Sequence, residues 1–419
     1  MTTKSRIPRS IFWRVVTTSG LGELSQGVAD VALPLIAVGA IGASGWQTSA
    51  VTAAESVGFV LFGLLAGVFA DRHNRVSIIT TANLLRAVAF LALPIGWLFH
   101  VVSIPLLVLL GVIAGACGIF ADTAAQALIP TIASEEELLS RNSQLHAVDS
   151  ATQIGAPALA GAMIQGLGSQ VAAGVTSVGY FLAATPLFGC RKVDAARIPG
   201  AESAPGQQRN LLWELKDGFR ELWHQRELRN TIACTATFNF AYGMLQPLFY
   251  LFLLRELGVS EGVVGLILAM GGLGSVLSAI FAEKVVARIG IGAAIWVPAI
   301  LAGCSIAALA SLTLRTALIL GGTLQAILAI AVTVYNITVF TLRQSSTSPE
   351  ILGRVSASSR VIVWGTAPLG SMLAGSSMAV FGIRGSLVAA GLAACLSALW
   401  IIFSPIRTVQ HMTDFRNDR

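Results

Sequence analysis

Glu23 and Asp30 stand seven residues apart in an apolar run that also holds Gln26, Gly27 and Pro34. Seven residues fall about 20° short of two full helical turns, so on a helix both carboxylates share a face. An ionisable side chain at membrane depth costs about 2.5–3.5 kcal/mol on insertion scales and is a functional hypothesis wherever it occurs. Carboxylates held there can take up and release protons, and that is the chemistry these residues offer. Asp30 is the first candidate for it and Glu23 the second. Glu55 and Asp122 are further candidates, Asp122 with Gln126 one turn on. Arg86 lies about 16 Å from the inner start of its run at 1.5 Å per residue. It is the only basic residue so deep in the first half, and Glu23, Asp30 or Glu55 is its expected partner. Asp149 is expected at a gate or loop, and His146 at the interface.

The second half offers different groups and no deep carboxylate. Asn239, Tyr242, Gln246 and Tyr250 follow at spacings of 3, 4 and 4, one polar-aromatic helical face. Gln325, Thr333 and Asn336 share a broader face. Amides and phenols of this kind can hold a neutral, bulky ligand. With Gln26, the residues Asn239, Tyr242, Gln246, Tyr250, Gln325 and Asn336 are the candidate ligand contacts.

These groups need a membrane to be deep in. Of 419 residues 55% are hydrophobic and 11% charged, against about 25% charged in soluble domains. About twelve apolar stretches reach the roughly 20 residues needed to cross a hydrocarbon core. They run near 16–41, 48–70, 76–99, 104–128, 145–167, 170–190, 230–254, 260–282, 291–311, 315–342, 357–380 and 384–404. Backbone polar groups in lipid must pair internally, so spans this long are helices. With the N-terminus inside, all but three of the 27 Lys and Arg fall in cytoplasmic segments or their adjoining helices, the exceptions being Arg255, Arg315 and Arg384. The net charge of +6 is therefore a topology signal, and no nucleic-acid partner is expected. The basic start (Lys4, Arg6, Arg9, Arg14) leads into a span too long for a secretory signal.

Cys117, Cys190, Cys234, Cys304 and Cys395 show no metal or disulfide spacing. They are expected to pack as small apolar residues, with no metal and no cofactor. The histidines at 73, 100, 146, 224 and 411 are dispersed, so no catalytic constellation forms and the chain is not expected to be an enzyme.

The chain also repeats itself at a separation of roughly 212 residues. Gly67-Val68-Phe69-Ala70-Asp71-Arg72-His73-Asn74-Arg75 answers Ala279-Ile280-Phe281-Ala282-Glu283-Lys284 with Arg288. Glu137-Leu138-Leu139-Ser140-Arg141 answers Glu350-Ile351-Leu352-Gly353-Arg354, and Gly155-Ala156-Pro157-Ala158-Leu159 answers Gly365-Thr366-Ala367-Pro368-Leu369. The expected organisation is a six-helix bundle over 1–190, a cytoplasmic linker over 191–229, a second six-helix bundle over 230–404 and a cytoplasmic tail over 405–419. Within the linker Leu212, Leu215, Phe219 and Leu222 recur at helical spacing, which predicts an amphipathic helix in the headgroup layer. Duplicated membrane halves of this kind suit a transporter.

Gly67-x-x-x-Asp71-Arg72-x-x-Arg75 resembles the cytoplasmic signature of the major facilitator superfamily. Physically, Gly67 is expected to let helices approach closely, Asp71 to cap a helix N-terminus, and Arg72 and Arg75 to hold the loop. Ala127-Leu128-Ile129-Pro130, Arg141-Asn142, Ala156 through Gly161, and Pro349-Glu350-Ile351-Leu352-Gly353-Arg354-Val355 resemble the drug:proton antiporter branch that contains macrolide efflux proteins and the enterobactin exporter. Two positions depart from that branch: Ala156 stands where Gly usually precedes Pro157, and Asn83-x-x-Arg86 replaces a third-span Asp-x-x-Arg.

The resemblance implies an all-α membrane protein, twelve transmembrane helices in two pseudo-symmetric six-helix bundles of the major facilitator fold. It places Glu23 and Asp30 on a cavity-lining helix. It makes Gly67, Asp71, Arg72, Arg75, Glu283, Lys284 and Arg288 a conformational gate, with Pro157 a rigid bend. It implies a monomeric, proton-coupled exporter of amphipathic small molecules, such as an antibiotic or natural product, in the bacterial cytoplasmic membrane with both termini cytoplasmic. A siderophore or lipid-like metabolite is the alternative cargo, and uptake a further one.

Overall fold

The computed structural model of the chain describes residues 9–132, 135–190, 220, 222–346 and 349–410, and within helices leaves out some side chains, those of Asp71, His146 and Arg354 included. Among the described residues every regular element is helical. In chain order these are α1 Arg9–Leu35, α2 Gly45–Arg72, α3 Arg75–Leu98, α4 Ile104–Ile132, α5 Glu135–Leu167 and α6 Ser169–Ala184. The second set is α7 Arg226–Leu251, α8 Glu261–Ile289, α9 Ala293–Leu309 and α10 Gly322–Ser346. The run Pro349–Ser397 breaks at Gly382 (φ 67°), giving α11 over 349–381 and α12 over 383–397. Seven of the runs combine the length and apolarity needed to cross a bilayer. One of these seven, 361–402, runs across the Gly382 break, and α9 is a shorter apolar helix among the described residues. Among the described residues these helices, with the short helix Leu399–Ile402 after α12, fall where the twelve apolar stretches lie.

Two boundaries differ from the sequence reading for a stated reason. The Glu137–Arg141 and Pro349–Arg354 motifs belong to the first turns of α5 and α11. Proline lacks only an N–H that the first turn leaves unpaired anyway, so Pro349 starts a helix. The linker helix lies almost wholly outside the described residues. At its end, Leu222 is buried with Leu228, Ile232 and Val355.

The chain divides into two compact units. One comprises Met1–Leu33 with Val57–Gln207, the other Pro34–Ser56 with Gln208–Arg419. In the first unit α3 packs on α4 and α6, and Ser177 Oγ donates across to the Ala87 carbonyl at 2.7 Å. Small residues bring α1 onto α5. A Cβ on Gly20 would sit 2.7 Å from Val148 Cγ1, and one on Gly27 would sit 2.7 Å from Ala156 Cβ. Thus the methyl of Ala156 is accommodated by a glycine opposite.

The second unit uses the same device. α7 packs on α11 where a Cβ on Gly243 would lie 2.9 Å from Ala367 Cα, and Ser371 Oγ donates to the Gly243 carbonyl at 2.8 Å. α8 packs on α10 through Gly274 against Ala326.

One repeat escaped the sequence reading. α1 ends in the π-turn Ile36–Ala40 and α7 in the π-turn Phe252–Glu256. Each is followed by a left-handed glycine, Gly42 (φ 73°) and Gly258 (φ 67°). Ala43 N–H then donates to Ala37 O, and Val259 N–H to Leu253 O, each at 2.8 Å. Only glycine takes this conformation without strain, so Ile41-Gly42-Ala43-Ser44 and Leu257-Gly258-Val259-Ser260 are two copies of one helix stop.

Candidate functional site

Four charged side chains converge inside the first unit, each from a different helix. Glu23 comes from α1, Arg86 from α3, Asp122 from α4 and Asp149 from α5. Glu23 and Asp149 are within side-chain hydrogen-bonding reach, and Asp122 is within electrostatic range of both. Arg86 faces Asp122. Arg86 thus meets an acid one helix over, Asp122, which stands outside its expected partners Glu23, Asp30 and Glu55. The reason is spatial: α3 packs directly on α4, and Gly118, one helical turn from Asp122, clears the way. A Cβ there would meet Arg86 Nη2 at 2.6 Å.

Arg86 is buried, 4% exposed, and lies over the Tyr180 ring of α6 at 5.2 Å to its centroid. A guanidinium over an aromatic face gains about 2 kcal/mol or more when desolvated. Tyr180 is fully buried and its hydroxyl donates to Gln26 Oε1 at 2.8 Å. Gln26 Nε2 in turn donates to Asp30 Oδ1 at 2.7 Å. Arg86 is therefore a hub. One arm runs through Asp122 to Glu23 and Asp149, the other through Tyr180 and Gln26 to Asp30. Glu23 Oε2, Asn83 Oδ1 and Arg86 Nε are buried without a hydrogen-bond partner among the described residues. Such groups cost free energy unless a proton, water or ligand reaches them. Asp30 and Asp122 are exposed, whereas Glu23 and Asp149 are half-buried.

Glu55 is half-buried on α2 in the Pro34–Ser56 segment, which groups with the second unit. Tyr180 was missed by the sequence reading, although a signal existed: it is one of only four tyrosines in the chain and sits mid-span.

In the second unit the expected face is partly engaged with itself. Asn239 Nδ2 donates to the Thr235 carbonyl one turn back at 3.1 Å. Tyr242 hydrogen-bonds Gln246. Tyr250 is buried against Phe249, and Gln325 is buried where Gly271 approaches it, while Asn336 is exposed. α7 and α10 meet through Tyr335, whose hydroxyl lies 2.7 Å from Thr235 Oγ1 and whose ring stacks on Phe238. Neither Thr235 nor Tyr335 was singled out from sequence, because no periodic polar pattern includes both.

The gate residues are placed as follows. Arg75 Nη1 donates to the Ala127 carbonyl at 2.8 Å, tying the signature loop to the inner end of α4. Asn74 caps α3, accepting from Ser77 N–H at 2.9 Å. The side chain of Asp71 lies outside the described residues. A Cβ on Gly67 meets no described atom within 4 Å. Arg72, Glu283, Lys284 and Arg288 are exposed and form no hydrogen bond or ion pair among the described residues. Pro157 lies inside α5 beside the Gly27–Ala156 contact, and the helix continues through it. Among the described residues no cluster of three metal-ligating side chains occurs.

The sequence profile of the Major Facilitator Superfamily matches residues 16–368. The chain is similar to the multidrug efflux pump Tap of Mycobacterium tuberculosis (strain ATCC 25618 / H37Rv), 24% identical over 393 residues, covering 92% of this chain and 91% of that protein. Tap of Mycobacterium bovis matches to the same extent. Among solved structures, a bacterial homolog of the human lysosomal transporter Spinster, inward-facing and unoccupied, superposes with a TM-score of 0.72 at 18% identity, covering 100% of this chain and 99% of that one. A mutant of the nucleoside transporter NupG gives 0.76 at 13% identity over 94% and 100% of the two chains. A bacterial homologue of the iron transporter ferroportin, inward-facing, gives 0.69 at 19% over 93% and 99%. At these identities the solved structures share the fold alone.

Proposed function

The chain belongs to the Major Facilitator Superfamily, and from that premise we propose that it is a proton-coupled exporter of amphipathic small molecules working by alternating access. It is a multi-pass membrane transporter and not an enzyme. Export is supported by the similarity to a multidrug efflux pump along 92% of the chain. The bacterial cytoplasmic membrane, with both termini cytoplasmic and the chain working as a monomer, is part of the same reading. The positive-inside distribution supports that orientation.

The observation that carries proton coupling is the Glu23–Asp149 pair beside Asp122 and Arg86. Two carboxyl groups in hydrogen-bonding reach need a proton between them, because two like charges at that distance cannot both stand. With one proton the pair carries a single charge; with two it is neutral. Arg86 balances the charge of Asp122. The cluster thus changes charge one proton at a time and is the coupling element of this proposal. Asp30, joined to Arg86 through Gln26 and Tyr180, is the outlying acid through which the hub senses the rest of α1. Gln26, Tyr242, Gln246 and Asn336 remain the candidate cargo contacts.

The test is accumulation of labelled macrolides and a catecholate siderophore in an efflux-deficient bacterium expressing the chain, with and without a protonophore. Lower accumulation of one compound, restored by the protonophore and lost in Glu23→Gln, is the expected result. Unchanged accumulation of every compound, with the protein present in the membrane, would defeat the drug-export reading. Lowering of the siderophore alone selects the alternative cargo, a siderophore or lipid-like metabolite. Raised accumulation would mean uptake.

A further inference from the structure

We propose that Cys304 and Cys395 form an oxidisable dithiol that closes to an intramolecular disulfide in the membrane core. The pair stands apart from the charged cluster, in the second unit. Cys304 Sγ and Cys395 Sγ lie 4.0 Å apart, from α9 and α12. Both are free thiols. They meet because α9 and α12 cross almost backbone to backbone. A Cβ on Gly303 would sit 2.6 Å from both the Cys395 nitrogen and the Gly391 carbonyl oxygen, and 2.5 Å from Cys395 Sγ. A Cβ on Gly391 would sit 2.6 Å from the Gly303 carbonyl. With the helices this close, closure needs only about 2 Å of side-chain movement to reach the S–S bond length. Cys395 Sγ also lies 3.5 Å from the Ile300 carbonyl, which holds it on the side facing α9.

The surroundings select the oxidant. Cys304 is exposed in line with Val297 and Leu301 on α9, and Val388, Leu392 and Leu396 of α12 are exposed beside Cys395. Cys304 is about 16 Å along α9 from Ala293 at 1.5 Å per residue, near mid-membrane. An apolar face at that depth meets lipid, so the oxidant must dissolve in lipid. A membrane quinone satisfies the chemistry. Both S–H bonds break and one S–S bond forms, while the two electrons and two protons reduce the quinone to its quinol. The product ties α9 to α12. The sequence gives no sign of the pair, whose members are 91 residues apart.

The experiment uses the full-length protein in its membrane, exposed to a short-chain ubiquinone analogue in one arm and to copper-phenanthroline in another. After denaturation, free thiols are counted by maleimide mass tagging and the cross-linked peptide is sought by mass spectrometry. The expected count falls from the five free cysteines to three in both arms, with a Cys304–Cys395 peptide that dithiothreitol reverses. Cys304→Ser and Cys395→Ser should each hold four thiols throughout. Five thiols after both treatments would overturn the proposal. A cross-link made by copper but not by the quinone would overturn it too, since proximity alone would then be the whole of it. So would thiol loss that persists in Cys304→Ser.

Discussion

Arg86 of α3 lies 5.2 Å from the ring centroid of Tyr180 on α6, and that buried pair joins the two arms of the charged network. On one side the guanidinium faces Asp122; on the other the tyrosine hydroxyl reaches Gln26 and through it Asp30. The arrangement links five helices of the first unit around one positive charge. Its consequences are measurable.

Removal of the Tyr180 hydroxyl tests the second arm. Tyr180→Phe keeps the ring under Arg86 but removes the hydroxyl that donates to Gln26 Oε1. The expected loss is about 0.5–1.5 kcal/mol of stability, the net worth of one hydrogen bond. A lower midpoint of thermal unfolding in detergent would show it, with Arg86→Gln costing more because Asp122 then loses its counter-charge. Equal midpoints for Tyr180→Phe and the parent would mean the hydrogen bond carries no weight.

Neutralising the carboxyl pair tests coupling. Glu23→Gln should lower protonophore-sensitive efflux at least about tenfold, a barrier change near 1.4 kcal/mol, while cargo binding persists. Asp149→Asn should behave alike, and the double variant should lose little more than either single one, because the two act as a unit. Additive losses would assign them separate roles.

The α1–α5 contact makes a rescue prediction. Gly27→Ala places a methyl against Ala156 Cβ, which lies 2.7 Å from that point. Overpacking of this sort costs about 1–3 kcal/mol. Adding Ala156→Gly, which restores room on the other helix, should return most of the stability. Thermal unfolding of the four chains in the cycle measures the coupling, and a cycle that closes with no coupling would refute the contact.

Arg384 at the start of α12 binds Glu256 Oε1 at 2.5 Å and also donates to the Ala310 and Leu312 carbonyls. An exposed ion pair alone is worth about 0–1 kcal/mol. Glu256→Gln should therefore change stability little, whereas Arg384→Ala should cost more by leaving two carbonyls without their donor. The order of the two midpoints decides the matter; the reverse order would make the ion pair the principal contact.

Much of the fold was legible in the sequence for a simple reason. Lipid forces every backbone group to pair within its own helix, so a 20-residue apolar run is enough to name a span. The duplicated signatures at Asp71 and Glu283 added the order of the halves, and Glu23, Arg86 and Asp122 announced themselves as charges where charge is costly. Composition and period act along the chain, and one dimension sufficed for them.

What only the tertiary structure decided is who meets whom. Asp149 reads from sequence as a gate or loop contact, and the fold brings it within hydrogen-bonding reach of Glu23. Arg86 finds Asp122 because Gly118 lacks a side chain, and the Ala156 methyl finds room because Gly27 stands opposite. Cys304 meets Cys395 across 91 residues of chain because two glycines let α9 and α12 touch. Each of these pairings depends on helix rotation and approach distance, set by the small residues at every crossing. A one-dimensional pattern names such residues without saying which helix they admit.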